Sequence, residues 1–146
     1  MRTFKILAFI LIASLGITAC KKDKDKKSRT ELLTSAPWII VKFEERENNG
    51  AWDNTFPGVP ACSKDDKWIF KTDKSLDLTE GNTACTGNSP NEVMESTVWQ
   101  FLESETKLQI ESDIFNIDQL DDNTLIISIS ESFGGVTYGT RVTMNH

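Results

Sequence analysis

Two cysteines, Cys62 and Cys85, bracket a stretch in which Trp68, Phe70, Leu76 and Leu78 recur at every second position, with Lys67, Lys71, Asp77 and Thr79 between them. That period is the signature of strands with one buried face, and Thr72-Asp73-Lys74-Ser75 at the centre supplies turn chemistry. Two antiparallel strands and a tight turn are therefore expected. A disulfide closing this loop of about 24 residues would be worth about 3.4 kcal/mol through the entropy it removes from the unfolded chain, a large share of a small domain's net stability. Two buried free thiols are the alternative.

The N-terminus bears on that choice. Met1 to Ala19 has the make-up of an export signal: Arg2 and Lys5 charge its start, Ile6 to Ile17 is nearly all apolar, and Thr18-Ala19 is small. The apolar run is too short for a membrane-spanning helix. Cys20 follows, and Ile17-Thr18-Ala19-Cys20 resembles a bacterial lipobox, which implies cleavage before Cys20 and lipidation of its sulfur and new amine. The sequence has three cysteines. With Cys20 acylated, Cys62 and Cys85 remain to pair in an oxidising compartment, whereas an ordinary secretory signal would leave an odd free thiol. Several acyl chains also anchor stably where one does not.

The formal net charge of -6 conceals an asymmetry. Lys21 to Arg29 carries six basic and two acidic residues, and from Thr30 onward eight Lys and Arg face twenty Asp and Glu, about -12 for the body. Anionic lipid would attract a basic segment beside the anchor and repel the acidic body, and nucleic acid is excluded as a partner on the same ground. Lys21 to Ser28 has no apolar residue to place in a core and reads as a charged, flexible tether spanning residues 20–29 with the lipidated cysteine. Its Lys and Asp mixture fits simple solvation and a surface-export address equally.

The remaining residues, 30–146, suffice for one domain with one core. Glu31-Leu32-Leu33 reads as a helical turn before Pro37, and a first strand runs from about Trp38 to Glu45, its facing left open by consecutive Ile39, Ile40 and Val41 unless a bulge uses both sets. Arg46 to Asp65 is too rich in breakers for one uninterrupted element, yet it carries Trp52, Phe56 and Val59. After a polar loop from Thr86 to Glu92, alternation returns through Trp99 and Phe101, Leu108 and Ile110, Phe115 and Ile117, Leu125 to Ile129, and Tyr138 to Met144. Eight strands joined mostly by short connections predict an all-β, eight-stranded antiparallel up-and-down β-barrel, with a two-sheet sandwich as the other arrangement.

Pro60-Ala61-Cys62 with Lys64-Asp65-Asp66, the Trp68 and Phe70 pair, Gly81, Cys85 and Trp99 resemble the lipocalin-like domain of Gram-negative bacterial lipoproteins, over roughly Leu32 to Met144. The resemblance implies a small calycin-type barrel with one inter-strand disulfide, and an outer-membrane lipoprotein facing the periplasm or the cell surface. It also implies a basic residue of the last strand packed over the first-strand Trp38, for which Arg141 is the candidate.

Catalytic chemistry is thinly represented. The single histidine is the terminal His146, so neither a Ser/His/Asp triad, a Cys/His pair nor a multi-histidine metal site can be assembled. Asp65-Asp66 and Asp121-Asp122 are neighbours whose side chains would point apart on a strand, and they fit loop bonding and a hairpin turn better than acid and base work. No calcium-loop pattern occurs. Enzyme, metal and cofactor are therefore not expected. Two classes remain: a carrier of a small hydrophobic or amphipathic ligand in the barrel mouth, and a non-enzymatic interaction lipoprotein with a filled barrel. For the carrier, Trp52 and Phe56 are expected as a lid, with Trp68, Trp99 and Tyr138 below it, and a ligand that is neutral or cationic.

Overall fold

The computed structural model describes residues 26–146; the export signal over residues 1–19 and the acylation site Cys20 lie outside them. Ser28 and Arg29, read from sequence as tether, instead belong to the first element. Ser28 caps helix α1 (Arg29–Leu33), its hydroxyl accepting from the Glu31 amide while the Glu31 carboxylate accepts from the Ser28 amide.

Nine strands follow: β1 (Trp38–Glu47), β2 (Asp53–Asn54), β3 (Lys67–Phe70), β4 (Ser75–Thr79), β5 (Val93–Leu102), β6 (Lys107–Ile110), β7 (Asp113–Leu120), β8 (Thr124–Phe133) and β9 (Val136–Asn145). Every pairing is antiparallel, each strand from β3 to β9 pairs with the next, and β1 joins β3 on one side to β9 on the other. Eight strands therefore close an up-and-down barrel. The ninth, β2, is a two-residue addition from the long connection after β1, lying against Glu44 and Glu45.

A bulge decides the facing of β1. The register shifts between Ile40 and Lys42, so Val41 is the extra residue. Trp38 and Ile40 point inward before it; Phe43, opposite the buried Val142, points inward after it. Glu44 and its partner Arg141 consequently lie on the outer wall.

The β3–β4 hairpin has the expected register, Trp68 opposite Leu78 and Phe70 opposite Leu76. The Cys62–Cys85 disulfide is formed, with its Cα atoms 5.1 Å apart. Its half-cystines stand just beyond the strands, Cys62 in a 3₁₀ turn (Ala61–Ser63) and Cys85 in the loop after β4.

The core is concentrated toward one end. Leu33, Trp38, Phe70, Leu76, Trp99, Leu108, Leu125 and Met144 are buried there, and α1 stoppers the barrel, with the Trp38 indole Nε1 donating to the Leu33 carbonyl at 2.9 Å. The β3–β4 turn, the β5–β6 and β7–β8 connections and the C-terminus all meet at this closed end. The expected packing of Arg141 over Trp38 does not occur. His146 stacks there instead, ring centroids 3.8 Å apart, because Arg141 pairs with Glu44, six residues along β1 from Trp38. At strand rise that separation is roughly 20 Å.

Candidate functional site

Toward the other end the barrel is incompletely filled, and the cause lies in how β1 meets β3. The two strands share only the pairs Trp38 with Trp68 and Ile39 with Lys67. Beyond the bulge, β1 turns its edge to β2 and the wall parts. A 3₁₀ turn (Phe56–Gly58) and the following Val59 fold into the gap. Between them and the inner wall is a cavity of about 230 Å³ lined by Ile40, Phe43, Phe56, Val59, Trp68, Leu78 and Met94, with Ser63, Asp66 and Lys67 at its polar side.

Trp68 and Leu78 also line a second, smaller cavity of about 160 Å³ on their other side. Ile110 and Phe115 supply more of its apolar wall, and Glu95, Glu111 and Asp113 are its carboxylates. The register explains why acids face inward: Glu95 is opposite Leu78 and Asp113 opposite Ile110, both partners being packed against the core.

The disulfide loop beside the first cavity is held by one buried and two half-buried acids. Asp66 accepts from the Gly81 amide at 3.2 Å, Asp65 from the amides of Asn82 and Thr83 at 2.8 and 3.0 Å, and the fully buried Glu80 from the Cys85 amide at 3.1 Å and from the Asn88 side chain. Burial, with smaller contributions from Glu80 and Asp65, raises the Asp66 carboxyl above the usual aspartate range, against the Gly81 amide that lowers it. The adjacent acids are thus loop clamps, in keeping with the expected bonding role.

The five residues expected at a ligand site are not brought together. Phe56 and Trp68 line the larger cavity. Trp99 is buried in the closed half, its Nε1 donating to the carbonyls of Lys71 and Ser75. Tyr138 lies in a separate cleft at the rim with Glu45, Glu47 and Thr140. Trp52 is not a lid. It folds onto the outer wall, its ring between the guanidiniums of Arg46 and Arg141 at 4.2 and 4.4 Å, over Gly139, whose missing side chain leaves it room. Cation–π attraction to the two guanidiniums accounts for that position. Beneath it Arg141 Nε and Lys42 Nζ grip Glu44 at 2.8 and 2.6 Å, and the Arg141 hydrogen bond chiefly, with Lys42 adding and burial opposing, lowers that carboxyl to about 2.

Ile40, Phe43 and Met94 complete the larger cavity and were not among the expected ligand residues. The facing of the first two depends on the Val41 bulge, and Met94 is the extra residue of a second bulge, between the pairs Leu78 with Glu95 and Thr79 with Val93. No protein-family model matches the chain, and no curated protein matches it in sequence.

Proposed function

We propose that the protein is a membrane-anchored, lipocalin-like lipoprotein of the outer membrane that carries a small hydrophobic or amphipathic molecule in the open half of its barrel. The observation that carries this reading is the cavity of about 230 Å³ bounded by Ile40, Phe43, Phe56, Trp68 and Leu78. Ligand sites are concave and mostly apolar with a few polar groups, and barrel mouths are a common place for them. Attachment rests on the lipobox-like run ending at Cys20, and the reading has no catalytic step. Phe56 closes the side of the cavity where β1 and β3 part, so it is the residue through which entry would be controlled.

Titration with neutral hydrophobic dyes, in the parent and in Phe56→Ala and Trp68→Ala, tests the carrier role. Binding should weaken in both variants and be unchanged in Trp52→Ala; dye binding indifferent to Phe56 and Trp68 would refute the assignment. Cys20→Ala should abolish partitioning into detergent. A second reading, a non-enzymatic interaction lipoprotein, is favoured by one feature: Phe133 at the tip of the β8–β9 hairpin is 83% exposed. A partner whose capture is lost in Phe133→Ser, with no dye bound in the barrel, would support it.

A further inference from the structure

We infer that the molecule held in the open half of the barrel is a small organic cation with an apolar body, an inference that rests on the carrier reading and adds the ligand's charge to it. The cavities make the site, and their ionisable lining sets its class. Across both, the carboxylates are Asp66, Glu95, Glu111 and Asp113, and the one base is Lys67. Lys67 lines the larger cavity, not the smaller one, and its Nζ donates to the Asn91 side chain at 2.7 Å.

The other bases of the body are committed elsewhere. Among the described residues the ion pairs join Lys27 to Asp122, Lys42 and Arg141 to Glu44, Lys71 to Asp77 and Lys107 to Glu103. None touches a carboxylate of the cavities. Arg46 lies against Trp52 on the outer wall and Lys74 against Trp99 at the closed end, while Lys64 donates to the Pro57 carbonyl and stands 5.6 Å from the Phe56 ring, beside the larger cavity and not among the residues that line the smaller one. Glu95, Glu111 and Asp113 therefore line the smaller cavity with no cation among the described residues within salt-bridge range.

An anionic amphiphile entering the smaller cavity would meet like charge from three exposed carboxylates, with no base in that cavity's lining to pair with. A cation would find carboxylates and the rings of Trp68 and Phe115 in the same lining, two attractions that act on the same charge. The apolar body would lie against Trp68 and Leu78, which line both cavities. The modest volumes suit a compact molecule better than a long acyl chain.

The test is calorimetric titration of the folded body (residues 26–146) with three probes that share a tail and differ in head, octyltrimethylammonium, octyl glucoside and octyl sulfate, each kept below micelle formation. The ammonium should bind about tenfold tighter than the glucoside and the sulfate most weakly, with the ammonium preference falling in 0.5 M salt. Glu95→Gln with Asp113→Asn should remove the preference while keeping glucoside binding; both side chains are exposed and make no hydrogen bond in the structure, so the fold should survive. A pair of equal charge change at the closed end, Glu105→Gln with Asp122→Asn, should leave it intact and so separate the site from the general acidity of the body. Glucoside bound with no ammonium preference, or a preference equally reduced by both pairs, overturns the charge assignment alone. No binding of any probe overturns the carrier reading and this inference with it.

Discussion

Across the β1–β9 seam, Arg141 Nε donates to Glu44 Oε2 at 2.8 Å, and the carboxylate so held is only 4% exposed although it stands on the outside of the barrel. Arg141 covers it from the neighbouring strand and Trp52 covers Arg141 in turn, so a pair that would ordinarily be screened by water is largely withdrawn from it. Surface pairs contribute little because both partners are hydrated; here one partner is not.

The pH dependence follows from Glu44. Its carboxyl is lowered from 4.5 in the unfolded chain to about 2 in the fold, so the stability it contributes is fully present above about pH 4.5 and is lost as pH falls toward 2. Glu44→Gln should cost about 2 to 3 kcal/mol at pH 7, discounted for the half-exposed Lys42, and progressively less below pH 4. Urea unfolding at pH 7, 4 and 2.5 measures this. A cost that stays constant across that range would show that the charge is not what Glu44 contributes.

Trp52 should behave as a clamp of the outer wall. Stacked between two guanidiniums, it ties the connection after β1 to β9, and Trp52→Ala should lower stability by about 1 to 2 kcal/mol. A double-mutant cycle with Arg46→Ala should show coupling between the two side chains. Simple additivity would mean that the stacking contributes nothing beyond contact area.

Gly81 tests the packing of the disulfide loop. A Cβ built there would lie 2.3 Å from both Asp65 Cγ and the Asp65 backbone oxygen, and the backbone cannot step aside as a flexible side chain could. Gly81→Ala should therefore cost about 2 kcal/mol or more through overpacking, whereas Gly58→Ala, which would meet nothing within 4 Å, should be close to neutral. Thermal unfolding of the two variants, both with the disulfide intact, decides it. Equal melting temperatures would remove the steric account.

The barrel was legible in the sequence because alternation survives wherever one face is buried: the Trp68, Phe70, Leu76 and Leu78 set reads directly as the inner face of a hairpin, and Cys62 with Cys85 as its staple. The rest was less legible for three reasons. A bulge inverts parity without leaving a compositional mark, so Phe43 could not be assigned to the interior from β1 alone. Trp52 is apolar enough to suggest a lid, but two arginines distant in sequence, visible together only once β1 and β9 pair, draw it to the outside. His146, the chain's last residue, takes the place over Trp38 that a strand base was expected to hold, since β9 runs to the closed end and delivers its terminus there.

The proposed anchor at Cys20 would set how the barrel stands on a membrane. The described chain enters at the closed end, where Lys27 Nζ lies 2.6 Å from Asp122 in the β7–β8 turn, and the cavities lie toward the other end. With Cys20 acylated as proposed, the eight residue steps from Cys20 to Ser28 reach at most about 29 Å when fully extended, and they join the body at the closed end. The closed end, to which the tether is joined, should lie nearer the bilayer than the open end, and a ligand should then arrive from the aqueous side or from a partner. A fluorophore at Asn123→Cys, in the β7–β8 turn, should be quenched by nitroxide-labelled lipids when the lipidated protein is reconstituted in vesicles, and one at Phe133→Cys should not. Quenching at 133 as strong as at 123 would mean that the barrel lies on its side, bringing its mouth to the lipid.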